Sequence, residues 1–278
     1  MPAVKKLLSR YFNALFGLSI LLVVGFVALL APHLAPYEPD RLFAGPRLSP
    51  PSLSFPFGTD ALGRDVLSRV IHGARLTAYV GIIALAIGLG VGAVVGLAAG
   101  YSRSWLRGLL MRIIDLLYSF PGLLIALALV AFIGPSLENA MIAVGISTIP
   151  FFARVTYSVV IVERAKPYFD SGRIIGAGPL RLMVYYLLPN VLPPLIVVGS
   201  LGFSTAILAA AGLSFLGLGA QPPTPEWGAL LAEGRNYMRN APWLMIFPGL
   251  SIFLVVLAFN LVGDALSERF DPRQRWKR

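Results

Sequence analysis

Residues 76–99 read LTAYVGIIALAIGLGVGAVVGLAA, twenty-four positions without a single Asp, Glu, Lys or Arg. A helix needs about 20 mostly apolar residues to cross roughly 30 Å of hydrocarbon, and this stretch supplies them. Within it Gly88, Gly92 and Gly96, continued by Gly100, recur at every fourth residue. Lipid offers no hydrophobic drive for helix association, so small residues at that spacing mark a face where two backbones approach closely. The four glycines are therefore read as a helix-packing stripe.

Five further apolar runs lie on either side: 11–30, 109–133, 140–160, 187–216 and 242–265. Pro121 predicts a kink in the second of these, and Pro189, Pro193 and Pro194 lie near the start of the fourth. Hydrophobic residues make up 57% of the chain and charged residues 13%. An ordinary soluble domain is roughly a quarter charged, so the apolar excess, packed into long runs, marks lipid as the solvent. The expected fold is an all-α integral membrane protein with six transmembrane helices. The first run follows Lys5, Lys6 and Arg10 in the manner of a signal peptide. It is too long for a cleaved apolar region and no small-residue cleavage site follows, so it is read as a retained helix.

The chain divides on this reading into a tail and first helix (1–31), an external loop (32–75), a core of five helices (76–266) and a basic tail (267–278). The loop is rich in proline, and Pro50, Pro51 and Pro56 bar a helix over much of it. At Thr59 or Asp60 a cap is available for a short amphipathic helix bearing Leu62, Val66, Leu67 and Val70 on one side. Asp60 with Arg64, and Asp65 with Arg69, are spaced to pair at i,i+4, which favours bracing over gating. Residues 221–240 predict a partly structured external element, with Trp227 and Trp243 read as interfacial anchors.

The basic residues set the orientation. With the N-terminus inside, sixteen of the 23 Lys and Arg fall on the cytoplasmic side and seven outside, which places both termini in the cytoplasm. The net charge of +10 is spread over the short segments between apolar runs, a pattern of membrane orientation and headgroup attraction and not of nucleic-acid binding.

The sequence holds no GxxxxGK[ST] phosphate loop, no HExxH and no GxSxG, and it has no cysteine and only two histidines. No catalytic residue, metal site or cofactor is expected in this chain. Asp115 and Asp264 are the acidic residues inside apolar runs. Both lie near predicted cytoplasmic ends, where Asp115 is spaced to pair with Arg112. Ser119, Ser204 and Thr205 are candidates for lining a pathway, since polar groups are costly against lipid. Bonding of these hydroxyls to their own helix backbone accounts for them equally well.

The segment 161–186 mixes charge with apolar positions. Tyr168 to Ile175 has the length of a short helix, Gly176 and Gly178-Pro179 make a sharp turn, and Leu180 to Leu188 begins another helix that Pro189 interrupts. A short amphipathic helix held between two spans either docks in a groove on another protein or lies on the lipid surface.

The run Tyr168-Phe169-Asp170-Ser171-Gly172-Arg173-Ile174-Ile175-Gly176-Ala177, followed by Leu188-Pro189-Asn190, resembles the EAA loop of bacterial ABC importer permeases. Residues 57–69 (FGTDALGRDVLSR), 211–219 (AGLSFLGLG), 221–228 (QPPTPEWG) and 258–264 (AFNLVGD) resemble the dipeptide and oligopeptide branch of that family, the DppC/OppC type. The resemblance covers about 12–272. Asp170-Ser171-Gly172 stands where the family has Glu-Ala-Ala, and Tyr186 stands where a His often precedes the Leu-Pro pair.

The resemblance implies a type I ABC importer permease in the prokaryotic cell membrane, with residues 161–186 as the coupling loop on the cytoplasmic face. It implies a homologous second permease, two ATP-binding-cassette ATPase subunits that hold ATP and Mg, and an extracytoplasmic substrate-binding protein, with membrane lipid around the whole. Peptide is the implied cargo. Nickel or another small solute on the same architecture is the second reading, and a stand-alone channel or secondary carrier the third.

Overall fold

A computed structural model describes residues 2–102 and 104–270, with side chains from 12 to 269; Lys5, Lys6, Arg10, Arg103 and the tail from 270 onward lie outside the described side chains. Among these residues the regular structure is helical: α1 (Pro2–Leu29), α2 (Ala31–Leu34), α3 (Val66–Tyr101), α4 (Ser104–Tyr118), α5 (Gly122–Ile133), α6 (Leu137–Arg164), α7 (Pro167–Ile174), α8 (Pro179–Arg181), α9 (Leu188–Phe215), α10 (Trp227–Gly234) and α11 (Trp243–Phe270). Five helical segments are long and apolar enough to cross a bilayer, and the pair α4 and α5 makes a sixth if counted as one span.

α3 and α6 form the most extensive helix pairing. Gly88, Gly92, Gly96 and Gly100 are all buried in it. A methyl group placed on Gly92 would lie 2.6 Å from Phe152 Cβ and 2.9 Å from the Ala153 nitrogen. One placed on Gly96 would lie 2.5 Å from the Ala153 carbonyl oxygen. Gly145 answers from α6, where a Cβ would stand 2.7 Å from Ile87. Backbone meets backbone along three turns, and only glycine fits.

Around this pair α9 packs against α3, α6 and α11, and α1 leans on α11 and α3. One apolar cluster joins α1, α3, α9, α10 and α11, a second joins α3, α5, α6 and α9, and a third sits where α6, α7 and the start of α9 converge. The outer faces of α1 and α4 expose Phe12, Leu15, Leu22, Phe26, Trp105 and Leu116, side chains that hydrocarbon accommodates.

Several details depart from the sequence reading. No separate amphipathic helix forms at Thr59 or Asp60. Those residues lie in a tight loop, in which Thr59 bridges Asp65. Asp65 is the cap, accepting from the Ser68 backbone at 2.8 Å, and α3 runs unbroken from Val66 into the membrane segment. With Asp65 engaged as a cap, Arg69 turns instead to Asp60 (3.0 Å) and to Glu233 of α10 (2.7 and 3.0 Å), while Arg64 pairs with both as well (2.6 Å each). Trp227 and Trp243 are internal fasteners and not interfacial anchors. Their indole N–H groups donate to Val70 O (2.9 Å) and Thr59 O (3.2 Å), which anchor α10 and α11 to the loop and the first turns of α3.

The expected kink at Pro121 is a break: α4 and α5 meet at 86°. Asp115 pairs with Arg154 of α6, not with Arg112, because α4 crosses α6 at that point. Pro189 does not interrupt the fifth span. Residues 182–187 form a π-helical turn in which the Leu188 N–H reaches back to Met183, and the wider turn accommodates the proline while the helix continues.

Substitution at Gly92 tests the α3–α6 contact. Gly92→Val is expected to lower stability by about 1–3 kcal/mol, the usual cost of overpacking. Gly90→Ala, where an added Cβ meets nothing within 4 Å, is expected to be silent. Thermal unfolding of both variants in the same detergent reads the difference.

Candidate functional site

α6 ends at Arg164, and three residues later Pro167 opens α7 with its fixed φ and a missing N–H that the first helical turn does not need. The helix closes in a Schellman motif: Ala177 N–H donates to Gly172 O at 3.1 Å and Gly176 N–H to Arg173 O at 3.0 Å. That geometry requires a left-handed residue, and Gly176 supplies it at φ +80°. Pro179 then starts the helix that leads through the π-helical turn into α9.

The short helix has two unlike faces. Phe169 and Gly172 are buried inward, and Tyr168 is half-buried. Asp170, Ser171 and Arg173 face solvent. Asp170 and Arg173 are 3.8 Å apart and 63% exposed, so this pair stabilises little and both groups are available to a partner. Beside them Ile174, Ile175 and Leu180 are 73–84% exposed. Three large aliphatic side chains exposed within seven residues of a helix–turn–helix tip, among polar neighbours in the sequence, have the composition of an interaction site.

The inner face is fastened from three sides. Arg164 donates to the carbonyl of Gly100, an orphan acceptor in the last turn of α3. Its guanidinium also lies 5.6 Å from the Tyr101 ring centre and 5.9 Å from that of Phe169. One side chain thus ties the ends of α3 and α6 to α7. Glu163 accepts from Lys166 Nζ (2.5 Å) and from the Tyr168 hydroxyl (2.9 Å). Burial, followed by the hydrogen bond and charge of Glu163, pushes the Tyr168 phenol up to about 12. It stays a donor at any physiological pH.

Gly172 packs against the third wall. A Cβ there would lie 2.6 Å from Tyr186 Cε1 and 3.0 Å from Leu182 Cδ2. Two of the four positions at which this chain departs from the EAA pattern, 172 and 186, are therefore in contact with each other. The larger residue at 186 fills the space that the smaller residue at 172 vacates.

The other sequence candidates fall elsewhere. Leu188 and Pro189 open α9, and Pro189 is exposed. Ser204 is buried between α9 and α11, near Val256 O (3.4 Å) and Asn260 Nδ2 (3.5 Å). Ser119 and Thr205 donate to carbonyls of their own helices, Leu116 and Gly202. Glu163 and Arg164 were not singled out, although the order Glu163-Arg164-Ala165-Lys166 at the end of a span puts charges where a brace is needed. Glu226 was also missed. It caps α10 through Gly228 N (2.9 Å) and Ala229 N (3.0 Å), and burial pushes its carboxyl above the usual range against the pull of those donors.

Comparison with known proteins places the chain. The sequence profile of the binding-protein-dependent transport system inner membrane component matches residues 92–276, and that of the N-terminal transmembrane domain of oligopeptide transport permease C matches 12–51. The di/tripeptide transport system permease protein DppC of Pseudomonas aeruginosa is 48% identical over 94% of this chain and 88% of its own. The dipeptide permease DppC of Escherichia coli K12 is 45% identical over 95% and 90%. The glutathione transport system permease protein GsiD of Pectobacterium atrosepticum is 41% identical over 97% and 89%. Among solved structures, an inward-facing MetNI methionine ABC transporter chain superposes with TM-score 0.57 at 18% identity, covering 71% of this chain and 96% of that one, a likeness of fold.

The contact between Gly172 and Tyr186 is testable by compensation. Gly172→Ala alone is expected to destabilise the 167–188 segment by about 1–2 kcal/mol through the clash with the ring. Adding Tyr186→His is expected to recover at least half of that loss. Limited proteolysis after Arg173 and Arg181, both exposed, reads the segment's opening in the two variants.

Proposed function

The chain belongs to the family of binding-protein-dependent transport system inner membrane components, and from that premise we propose that it is the DppC-like half of a peptide importer's translocation pathway. It is a multi-pass protein of the bacterial inner membrane. The observation that carries the finer reading is the α7 tip: an apolar patch of Ile174, Ile175 and Leu180 beside Asp170 and Arg173, exposed at the end of a helix that is fastened firmly on its other side.

In this reading a homologous second permease completes the pathway, and two ATPase subunits receive the α7 tips in surface grooves. ATP and Mg belong to those subunits, since the sequence offers no phosphate loop and no cofactor site of its own. A substrate-binding protein delivers cargo from the opposite face. The distribution of Lys and Arg favours both termini and α7 on the cytoplasmic side. Di- and tripeptides are the proposed cargo, by analogy with the dipeptide and di/tripeptide permeases to which the chain is 41–48% identical.

Closure of the ATPases would displace α7, and the Arg164 clamp passes that displacement to the ends of α3 and α6. Because those helices touch backbone to backbone, they move as one body, which is the hinge-and-shear behaviour expected of alternating access.

In the assembled complex in liposomes, Asp170→Arg and Gly176→Val are each expected to cut peptide uptake at least tenfold while ATP hydrolysis persists. Gly176→Val acts through backbone strain, since a left-handed conformation costs a branched residue about 1–2 kcal/mol. Normal uptake by both variants, or uptake by this chain without any ATPase, would sink the reading.

A further inference from the structure

Between α1, α3, α9 and α11 lies a second, wholly different feature: a cavity of about 190 Å³ walled by apolar side chains, among them Ala28 of α1, Ala78 and Ile82 of α3, Phe203 of α9 and the ring of Trp227. The polar atoms on its wall are turned inward to protein. Trp227 donates to Val70 O, and the Thr77 hydroxyl lies 3.4 Å from Glu226. Nothing on the wall offers a water the two to four partners it needs, and an apolar cavity of this size stays dry and takes an apolar guest. Gly25 leaves the α1 side open, since a Cβ built there meets no atom within 4 Å. The wall reaches the exposed surface at Ile82 on α3.

A second observation stands beside one end of the opening, next to the wall residue Ala74. α3 has 36 residues, a length of about 54 Å at 1.5 Å per residue, far more than the roughly 30 Å of hydrocarbon. Its charge-free run begins at Leu76, so Arg75 stands at the level where phosphates lie. Arg75 is exposed and has no hydrogen bond or ion pair among the described residues. Seven residues, or two helical turns, separate it from Ile82, which puts both on one side of α3 about 10 Å apart along the axis.

We infer that this groove is a phospholipid site, with one acyl chain seated between α1 and α3 beneath Trp227 and the phosphodiester held by Arg75. The occupant is a bilayer lipid and not a free anion, because the guanidinium and the apolar cavity share one face and a phosphate alone would leave the cavity empty. A chain in that position joins α1, which leans on the bundle mainly through α11, to the α3 stem. The site is independent of the α7 reading and lies toward the other end of the bundle.

The test is native mass spectrometry of the full chain in detergent with added 1-palmitoyl-2-oleoyl phosphatidylglycerol, alongside the rise in Tm that the lipid produces. Wild type is expected to retain one phospholipid per chain after delipidation. Gly25→Leu, whose added Cβ meets no atom within 4 Å, and Arg75→Gln, an exposed change that leaves the core alone, are each expected to lower retention at least threefold and to shrink the lipid-induced Tm shift. Leu22→Ala, on the lipid-facing surface outside the cavity, is expected to behave as wild type. Equal retention in wild type and Gly25→Leu, or undiminished retention in Arg75→Gln, would overturn the assignment, as would an equal loss in Leu22→Ala.

Discussion

Close approach of the α3 and α6 backbones is the constraint on which the other contacts depend. Inside a bilayer Leu gains nothing by leaving lipid for protein, so association must come from packing itself. Four glycines from α3, answered by Gly145 from α6, bring the two axes close enough for main-chain atoms of one helix to touch those of the other. The remaining spans are positioned against this pair: α9 fits along both, α5 covers α6, and α1 reaches α3 only partly and depends on α11. Gly202 on α9 continues the logic, because the Phe152 ring would lie 2.5 Å from a Cβ there.

A different chemistry holds the end of the bundle away from α7. Arg64 and Arg69, both nearly fully buried, share the carboxylates of Asp60 and Glu233. Desolvating four charges is expensive, and a buried pair rarely gains stability over an apolar substitute, yet removing one partner costs about 3–5 kcal/mol because a charge is stranded. The network is therefore better understood as a device of register. It specifies which turn of α3 meets α10, and Trp227 and Trp243 repeat that instruction with hydrogen bonds to Val70 O and Thr59 O. Asp60, Arg64, Arg69 and Glu233 border a cleft of about 720 Å³ between the loop, α10 and the start of α11.

How much of this was legible in the sequence follows from the range of each interaction. The glycine stripe and the α7 turn are local patterns, with periods of four and a Gly-x-Gly-Pro turn, and they were readable. The start of α3 was not, because Thr59, Asp60 and Asp65 are all acceptable caps and the choice depends on what Arg69 finds 164 residues away at Glu233. The tryptophans look like interfacial anchors by composition, and only the fold shows that backbone carbonyls await them. Pro121 announced a discontinuity, but its 86° angle is set by α5 packing on α6. Pro189 announced an interruption that a π-helical turn removes. The DppC/OppC resemblance supplied the family, and it could not say that Gly172 and Tyr186 compensate one another in space.

That compensation bears on how firmly α7 is held, which matters for the proposed coupling. A lever is useful only if its attachment is stiffer than its load, and α7 is attached at three points of different chemistry. Arg164 reaches a helix-terminal carbonyl and two rings, Glu163 takes the Tyr168 hydroxyl, and Gly172 seats the Tyr186 ring. None of these involves the outward face that carries Asp170, Arg173, Ile174 and Ile175. The outer face is exposed while the inner face is held by packing with little slack. On the proposed reading, displacement of the tip by a partner would be taken up beyond the clamp. Nearest to hand are the α4–α5 break and the π-helical turn before α9, where the regular hydrogen-bond ladder is already interrupted. Under the proposed coupling role, the α3–α6 pair would move as a unit and these two irregular points would be the joints that let it do so.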